Sequence, residues 1–138
     1  MTATGMGRSG DRFSMEFRIG YADCDGMGYL HHARYWEYFE RVRTELLRAN
    51  GFRYRDLEQQ GVFFVVHKCA CTFIRPVRYD DLVTVTAKVE RITRTRVDHS
   101  YEFLRGDDLL CQATTTLACV GRDGKPRLAP DALWAGAD

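Results

Sequence analysis

One helix constrains the rest of this chain. Between about His32 and Asn50, apolar residues fall at Tyr35, Trp36, Phe39, Val42, Leu46 and Leu47. Steps of three and four place them on one helical stripe, so that face must be buried. Glu37 and Arg41 are spaced i,i+4 on the outer face, which suits a charge pair. Asn50-Gly51 supplies the stop, because glycine readily takes the left-handed cap conformation. Such a helix is long for a chain of 138 residues. The core must be organised around it.

The other segments read as strands. Phe13, Met15, Phe17 and Ile19 alternate with polar residues at period two. A loop follows from Tyr21 to Leu30, punctuated by Gly26 and Gly28. Arg53 to Gln60 fits one short helical turn. Four more strands are expected at Val62–Arg75, Leu82–Thr93, Arg96–Leu104 and Leu109–Val120. Gly106-Asp107-Asp108 and the Asp123-Gly124 pair mark turns. Leu133 and Trp134 form an apolar pair expected to dock on the body. One strand, one helix and then four strands joined by tight turns predict an α+β fold, with an antiparallel sheet curled around the helix. One helix cannot shield the whole sheet, so a homo-oligomer is expected.

Residues 1–11 are rich in Gly, Ser and Thr without an apolar run. They read as a disordered leader, not a secretory signal, ahead of a single domain over 12–138. Lys+Arg total 20 against 19 Asp+Glu. That balance argues against a general nucleic-acid surface. No apolar run approaches the ~20 residues of a membrane span. Five cysteines, mostly in strand-like segments, fit reduced thiols and a cytoplasmic location. His67, Cys69 and Cys71 alternate, so a regular strand puts them on one face. No second ligand pair accompanies them, and they read as strand residues with no metal expected.

The chemistry concentrates before the helix. Asp23 and Asp25 precede a glycine turn, and the helix starts about seven residues later. The first N–H groups of a helix lack intrahelical partners, and its dipole is positive there. That end can hold an anion or a developing oxyanion. A neighbouring carboxylate can attack a carbonyl or activate water. Equally, Asp before a helix caps it or braces a turn. His31 and His32 are as ambiguous.

The segment Tyr21-Ala-Asp-Cys-Asp-Gly-Met-Gly-Tyr-Leu-His-His-Ala-Arg-Tyr-Trp-Glu-Tyr-Phe-Glu resembles the signature of hotdog-fold acyl-CoA thioesterases of the 4-hydroxybenzoyl-CoA thioesterase-like family, including the tol-pal-associated type. The matching residues are Tyr21, Asp23, Asp25, Gly28, His31, Tyr35, Tyr38, Phe39 and Glu40, with Arg43 close behind. Ile74 to Val83 also resembles the family's stretch before its third strand. The resemblance implies a five-stranded antiparallel sheet wrapped around one long central helix. It implies Asp25 as nucleophile or general base and a backbone N–H near His32 as oxyanion hole. Glu40 is implied only as a secondary catalytic candidate, and Asp23 as a structural acceptor. Gly28 and His31 are implied to lie against the substrate. The implied reaction is hydrolysis of an acyl-CoA or acyl-carrier-protein thioester, with no cofactor beyond the CoA of the substrate. Dimers or tetramers with sites between subunits are also implied.

CoA phosphates call for a basic surface. Arg91, Arg94 and Arg96 supply one near a turn, with Arg75 and Arg78 as weaker candidates. A solvated hairpin explains the same arginines. Trp36, Phe63, Phe64 and His67 are candidates for an acyl pocket, although such spacing also suits a core. Two other functions remain open: a hotdog dehydratase acting on hydroxyacyl thioesters, and a non-catalytic acyl-CoA-binding module.

Overall fold

The computed structural model describes residues 10–134. Strand β1 (Arg12–Arg18) leads through a loop into helix α1 (Tyr35–Ala49). A short helix α2 (Tyr54–Gln59) follows. Strands β2 (Phe63–Phe73), β3 (Leu82–Ile92), β4 (Arg96–Arg105) and β5 (Asp108–Val120) complete the sheet. One turn of helix, α3 (Asp131–Trp134), ends the described chain. The sheet order is β1-β3-β4-β5-β2, and every neighbouring pair is antiparallel. This is the expected α+β hotdog arrangement, with the long helix packed on one five-stranded sheet.

Alternation explains the packing. Val83, Val85, Ala87 and Val89 of β3 are fully buried, as are Tyr101 and Phe103 of β4. Phe39 sits at the centre of the stripe on α1. Its ring stacks on Tyr101 at 4.6 Å and meets Phe103 and Trp36 edge-on at 5.4 and 5.5 Å. Burying such a ring contributes roughly 1.5–3 kcal/mol. A second apolar cluster joins Leu46 of α1 to Leu57 of α2, Val62 and Leu133. Leu133 is the docked half of the expected pair, while the Trp134 side chain lies outside the described residues.

Four details depart from the sequence reading. Glu37 pairs with Arg34 at 2.9 Å, while the Arg41 guanidinium lies over the Phe17 ring instead. The first turn of the long helix, His32–Arg34, is wound as 3-10 helix before α1 begins at Tyr35. Helix ends often tighten this way. Gly10 and Asp11, assigned to the leader, bond across to Val89 and extend the ladder beyond β1; residues 1–9 lie outside the described ones. Finally, the β2–β5 register shifts between Val66 and Lys68, leaving His67 as the extra residue of a bulge. Val66 opposes buried Leu117, and Cys69 opposes buried Thr115. His67 therefore falls out of phase with Cys69 and Cys71, and the three do not share a face.

β2 is an edge strand. Val65, Val66 and Phe73 on it, and Ile74 just beyond, are exposed.

Candidate active site

The loop before the helix is built almost entirely from backbone hydrogen bonds. Asp25 N–H donates to the Tyr29 carbonyl at 2.8 Å, and Gly28 N–H returns to the Asp25 carbonyl at 3.0 Å. The Asp25 side chain closes the same turn, its Oδ1 accepting from Met27 N–H at 2.9 Å and Tyr29 N–H at 3.1 Å. Gly28 takes φ +77°, a conformation that penalises any side chain. The loop is pinned to the segment before β3 by Leu30 N–H on Val77 and Tyr79 N–H on Gly28.

Asp25 thus spends one oxygen on the turn. Its Oδ2 accepts no hydrogen bond from the described residues. The side chain is exposed and lines an open cleft of about 350 Å³. Tyr29, His32, Tyr35, Phe73 and Arg75 share that cleft.

Asp23, two residues earlier, faces the other way. Its Oδ2 accepts from the Tyr38 hydroxyl at 2.9 Å, and its carbonyl accepts from His31 N–H. Burial and that bond push the Tyr38 hydroxyl well above its ordinary pKa. Cys24 lies between the two acids. Burial first, and then Asp23, Asp25 and Asp81, raise its pKa, so its thiol stays protonated at neutral pH.

His31 caps the helix. Its Nδ1 accepts from Ala33 N–H at 3.1 Å, and its carbonyl accepts from Arg34 N–H at 2.8 Å. The N–H just before them, on His32, finds no acceptor among the described residues. An unpaired N–H at a helix start is a donor available to a ligand oxygen. Asp25 and His32 therefore meet in one cleft.

The other sequence candidates are placed elsewhere. Gly28 and His31 shape the loop and the cap but do not line the cleft. Glu40 lies more than one helical turn further along α1. It is exposed, 3.8 Å from Arg43, and lines a different cavity. Arg91, Arg94 and Arg96 sit around the β3–β4 hairpin, whereas the Asp25 loop adjoins the start of β3. An eleven-residue strand separates the two by roughly 30 Å. Arg94 is moreover paired with Asp131 and donates to the Ala129 carbonyl. Arg91 and Arg96 remain exposed. Trp36 packs against Phe39 in the core, Phe63 lies under the Arg122 guanidinium, and Phe64 lines the second cavity. No group of His, Cys, Asp and Glu among the described residues is arranged to hold a metal ion.

Tyr35 and Phe73 are cleft residues that sequence reasoning missed. In the sequence Tyr35 belongs to the apolar stripe and to the family match, with no site role attached. Its ring packs edge-on against Phe73 at 5.0 Å, and burial pushes its hydroxyl up to about 12. No local signal marks a stripe residue as the wall of a cleft.

A hotdog sheet with a carboxylate beside a free helix N–H defines a class of thioester-handling proteins, and comparison bears on that class directly. The thioesterase superfamily profile matches residues 27–112. The acyl-CoA thioesterase YbgC of Haemophilus influenzae is 36% identical over 109 residues, covering 78% of this chain and 80% of the relative. The acyl-CoA thioester hydrolase YbgC of Escherichia coli O157:H7 is 30% identical over 125 residues, covering 89% and 93%. Among solved structures, a probable thioesterase from Bartonella henselae superposes with a TM-score of 0.81 at 34% identity. That match covers 87% of this chain and all (100%) of the other. The chain belongs to the thioesterase superfamily and is a thioester hydrolase of the hotdog fold.

Proposed function

We propose that this protein hydrolyses acyl-CoA thioesters to a carboxylic acid and free CoA, using Asp25 as nucleophile or general base. The observation that carries the reading is the single cleft shared by the Asp25 carboxylate and the unpaired His32 N–H. A thioester carbonyl oxygen that accepts from His32 N–H gains stabilisation as negative charge develops on it. The Asp25 Oδ2 then either attacks the carbonyl carbon or takes a proton from an attacking water. Direct attack forms a mixed anhydride and expels CoA as the thiolate, and water then opens the anhydride. Its Oδ1 stays bound to Met27 and Tyr29 N–H, which fixes the carboxylate without consuming its free oxygen. A thiolate is a good leaving group, so a single carboxylate suffices.

The cleft is open on one side, and a partner subunit closes it in this reading. β2 offers an exposed edge with apolar side chains, which supports isologous antiparallel β2–β2 pairing in a homo-oligomer, dimer or tetramer. Such pairing sets the Phe63 end of one strand against the Phe73 end of the other. The β3–β4 hairpin lies toward the Phe63 end, since Arg96 and Phe63 face neighbouring β5 residues, Ala118 and Val120. Arg91 and Arg96 of one subunit then approach the partner's cleft and serve the CoA phosphates. Arg94, held by Asp131, contributes least. Five free thiols, two of them buried, support a reducing cytoplasmic setting. Acyl-carrier-protein thioesters are alternative substrates, and no cofactor beyond the substrate's own CoA is invoked.

The test is thiol release from a panel of acyl-CoA and acyl-carrier-protein thioesters, with wild type and Asp25→Asn compared. Turnover by wild type and its collapse in the folded variant are expected. Equal rates in both proteins sink the role of Asp25. CoA binding without turnover in wild type leaves a binding module instead. Water loss from a hydroxyacyl thioester, without hydrolysis, would make the protein a dehydratase.

A further inference from the structure

A second cavity lies behind α1, away from the Asp25 cleft. It measures about 450 Å³, within the usual range of small-molecule pockets. α1, α2, β2, β4 and β5 all contribute to it. Leu46, Leu47, Phe64, Val97 and Leu117 give it apolar walls. Two polar groups in its lining are left with unmet hydrogen-bonding capacity.

The first is His99, on the inner face of β4 and only 7% exposed. Its Nδ1 is closed off from the cavity and has no hydrogen-bond partner among the described residues. Burial, and then the Arg43 charge, lower its pKa to about 3, so the ring is neutral at physiological pH. The ring meets the cavity through Nε2, which also has no hydrogen-bond partner among the described residues, and a neutral ring can carry its proton there and donate.

The second is Arg43, whose side chain is only 15% exposed. Its closest acceptor is the Tyr101 hydroxyl at 3.4 Å, and its nearest carboxylate is Glu40 at 3.8 Å. Neither is a close charge-assisted bond, which usually falls near 2.7–2.9 Å. Glu40 is 70% exposed at the rim, and the exposed Glu58 is the other acid of the lining. Neither reaches inside to satisfy the guanidinium. Tyr54 is already committed, its hydroxyl donating to the Phe64 carbonyl and accepting from Phe64 N–H.

A mostly buried cation and a neutral imidazole donor on one apolar cavity both call for an acceptor, and a negative one suits the cation. We infer that this cavity is a receptor for an organic carboxylate with an apolar body, its oxygens bound by Arg43 and His99. Guanidinium and carboxylate match as a two-pronged pair, while Leu46, Phe64 and Leu117 cover the body. The site is separate from Asp25 and stands whether or not the hydrolysis reading holds. The carboxylate is that of a free acid.

The test begins with wild-type protein. Octanoate and benzoate are titrated by calorimetry against octanamide and benzamide, which have the same shape and no charge. At least ~10-fold tighter binding of the acids is expected, with the His99 ring nitrogen signals moving in 15N spectra on titration. Equal binding of acid and amide overturns the proposal. So does absence of binding, or spectral change confined to the Asp25 loop. Arg43→Met and His99→Phe, checked for folding by circular dichroism, should each lose the preference for acid over amide. Retention of that preference in folded Arg43→Met also overturns it.

Discussion

The two ends of helix α1 are built on opposite principles. At the start, an exposed loop is held by backbone hydrogen bonds, and its functional groups are the few left out of them: Asp25 Oδ2 and His32 N–H. Around the middle and end, side-chain packing sets the geometry, and the polar groups Arg43 and His99 are carried into a mostly apolar cavity. Near-isosteric changes in the first region should therefore alter chemistry at little cost in stability. Changes in the second should alter stability or its pH dependence.

The sharpest way to break that contrast is at the packing centre. Phe39→Ala removes a fully buried ring stacked on Tyr101. It should cost roughly 3–5 kcal/mol in urea unfolding. A loss below ~1 kcal/mol would show that α1 is not the organising element.

The second effect is the acid response of His99. Its native pKa is about 3 against an ordinary 6.5, so the unfolded chain takes the proton more readily. Stability from a neutral buried histidine is full above pH 6.5 and falls as pH drops toward 3. The loss should be on the order of 4 kcal/mol across that window. Urea unfolding of wild type and His99→Gln at several pH values measures it, and the variant should show a flatter profile.

At the loop end, Asp25→Asn keeps an Oδ1 acceptor for Met27 and Tyr29 N–H. Turnover should fall at least ~100-fold, the scale of a lost general base. The melting temperature should move little. A large melting shift would merge the two regions that the comparison separates.

Smallest is Tyr38→Phe, which removes the donor to Asp23. About 1 kcal/mol of stability should be lost. Because Asp23 faces away from the cleft, acyl-CoA turnover should change much less than in Asp25→Asn.

The two aspartates also show how far sequence reaches. Both precede the helix, both suit capping or catalysis, and local chemistry does not separate them. The family resemblance assigned catalysis to Asp25 and structure to Asp23, and the hydrogen bonds agree on the latter: Tyr38 and His31 N–H both end on Asp23. Glu40 and the hairpin arginines were grouped with Asp25 by resemblance, yet one subunit keeps them apart. Their distance depends on where β3 and α1 run, which no local pattern encodes. His67 failed for a similar reason. Alternation reads as one face only while the ladder is regular, and the bulge is a property of pairing with β5.

Local rules were enough to determine the elements. The period of α1, the alternation of the strands and the turn residues act within a few positions, so they can be read directly from the chain. The resemblance added the family and its carboxylate, again through one contiguous segment. Tertiary structure alone decided which groups share a cavity. Asp25 meets Phe73, and Arg43 meets His99, only because strands distant in sequence pack on the same helix. Whether a polar group is satisfied or left wanting is settled by neighbours many residues away. Among the described residues His32 N–H and His99 Nδ1 find no partner for that reason, and nothing in their immediate sequence announces it.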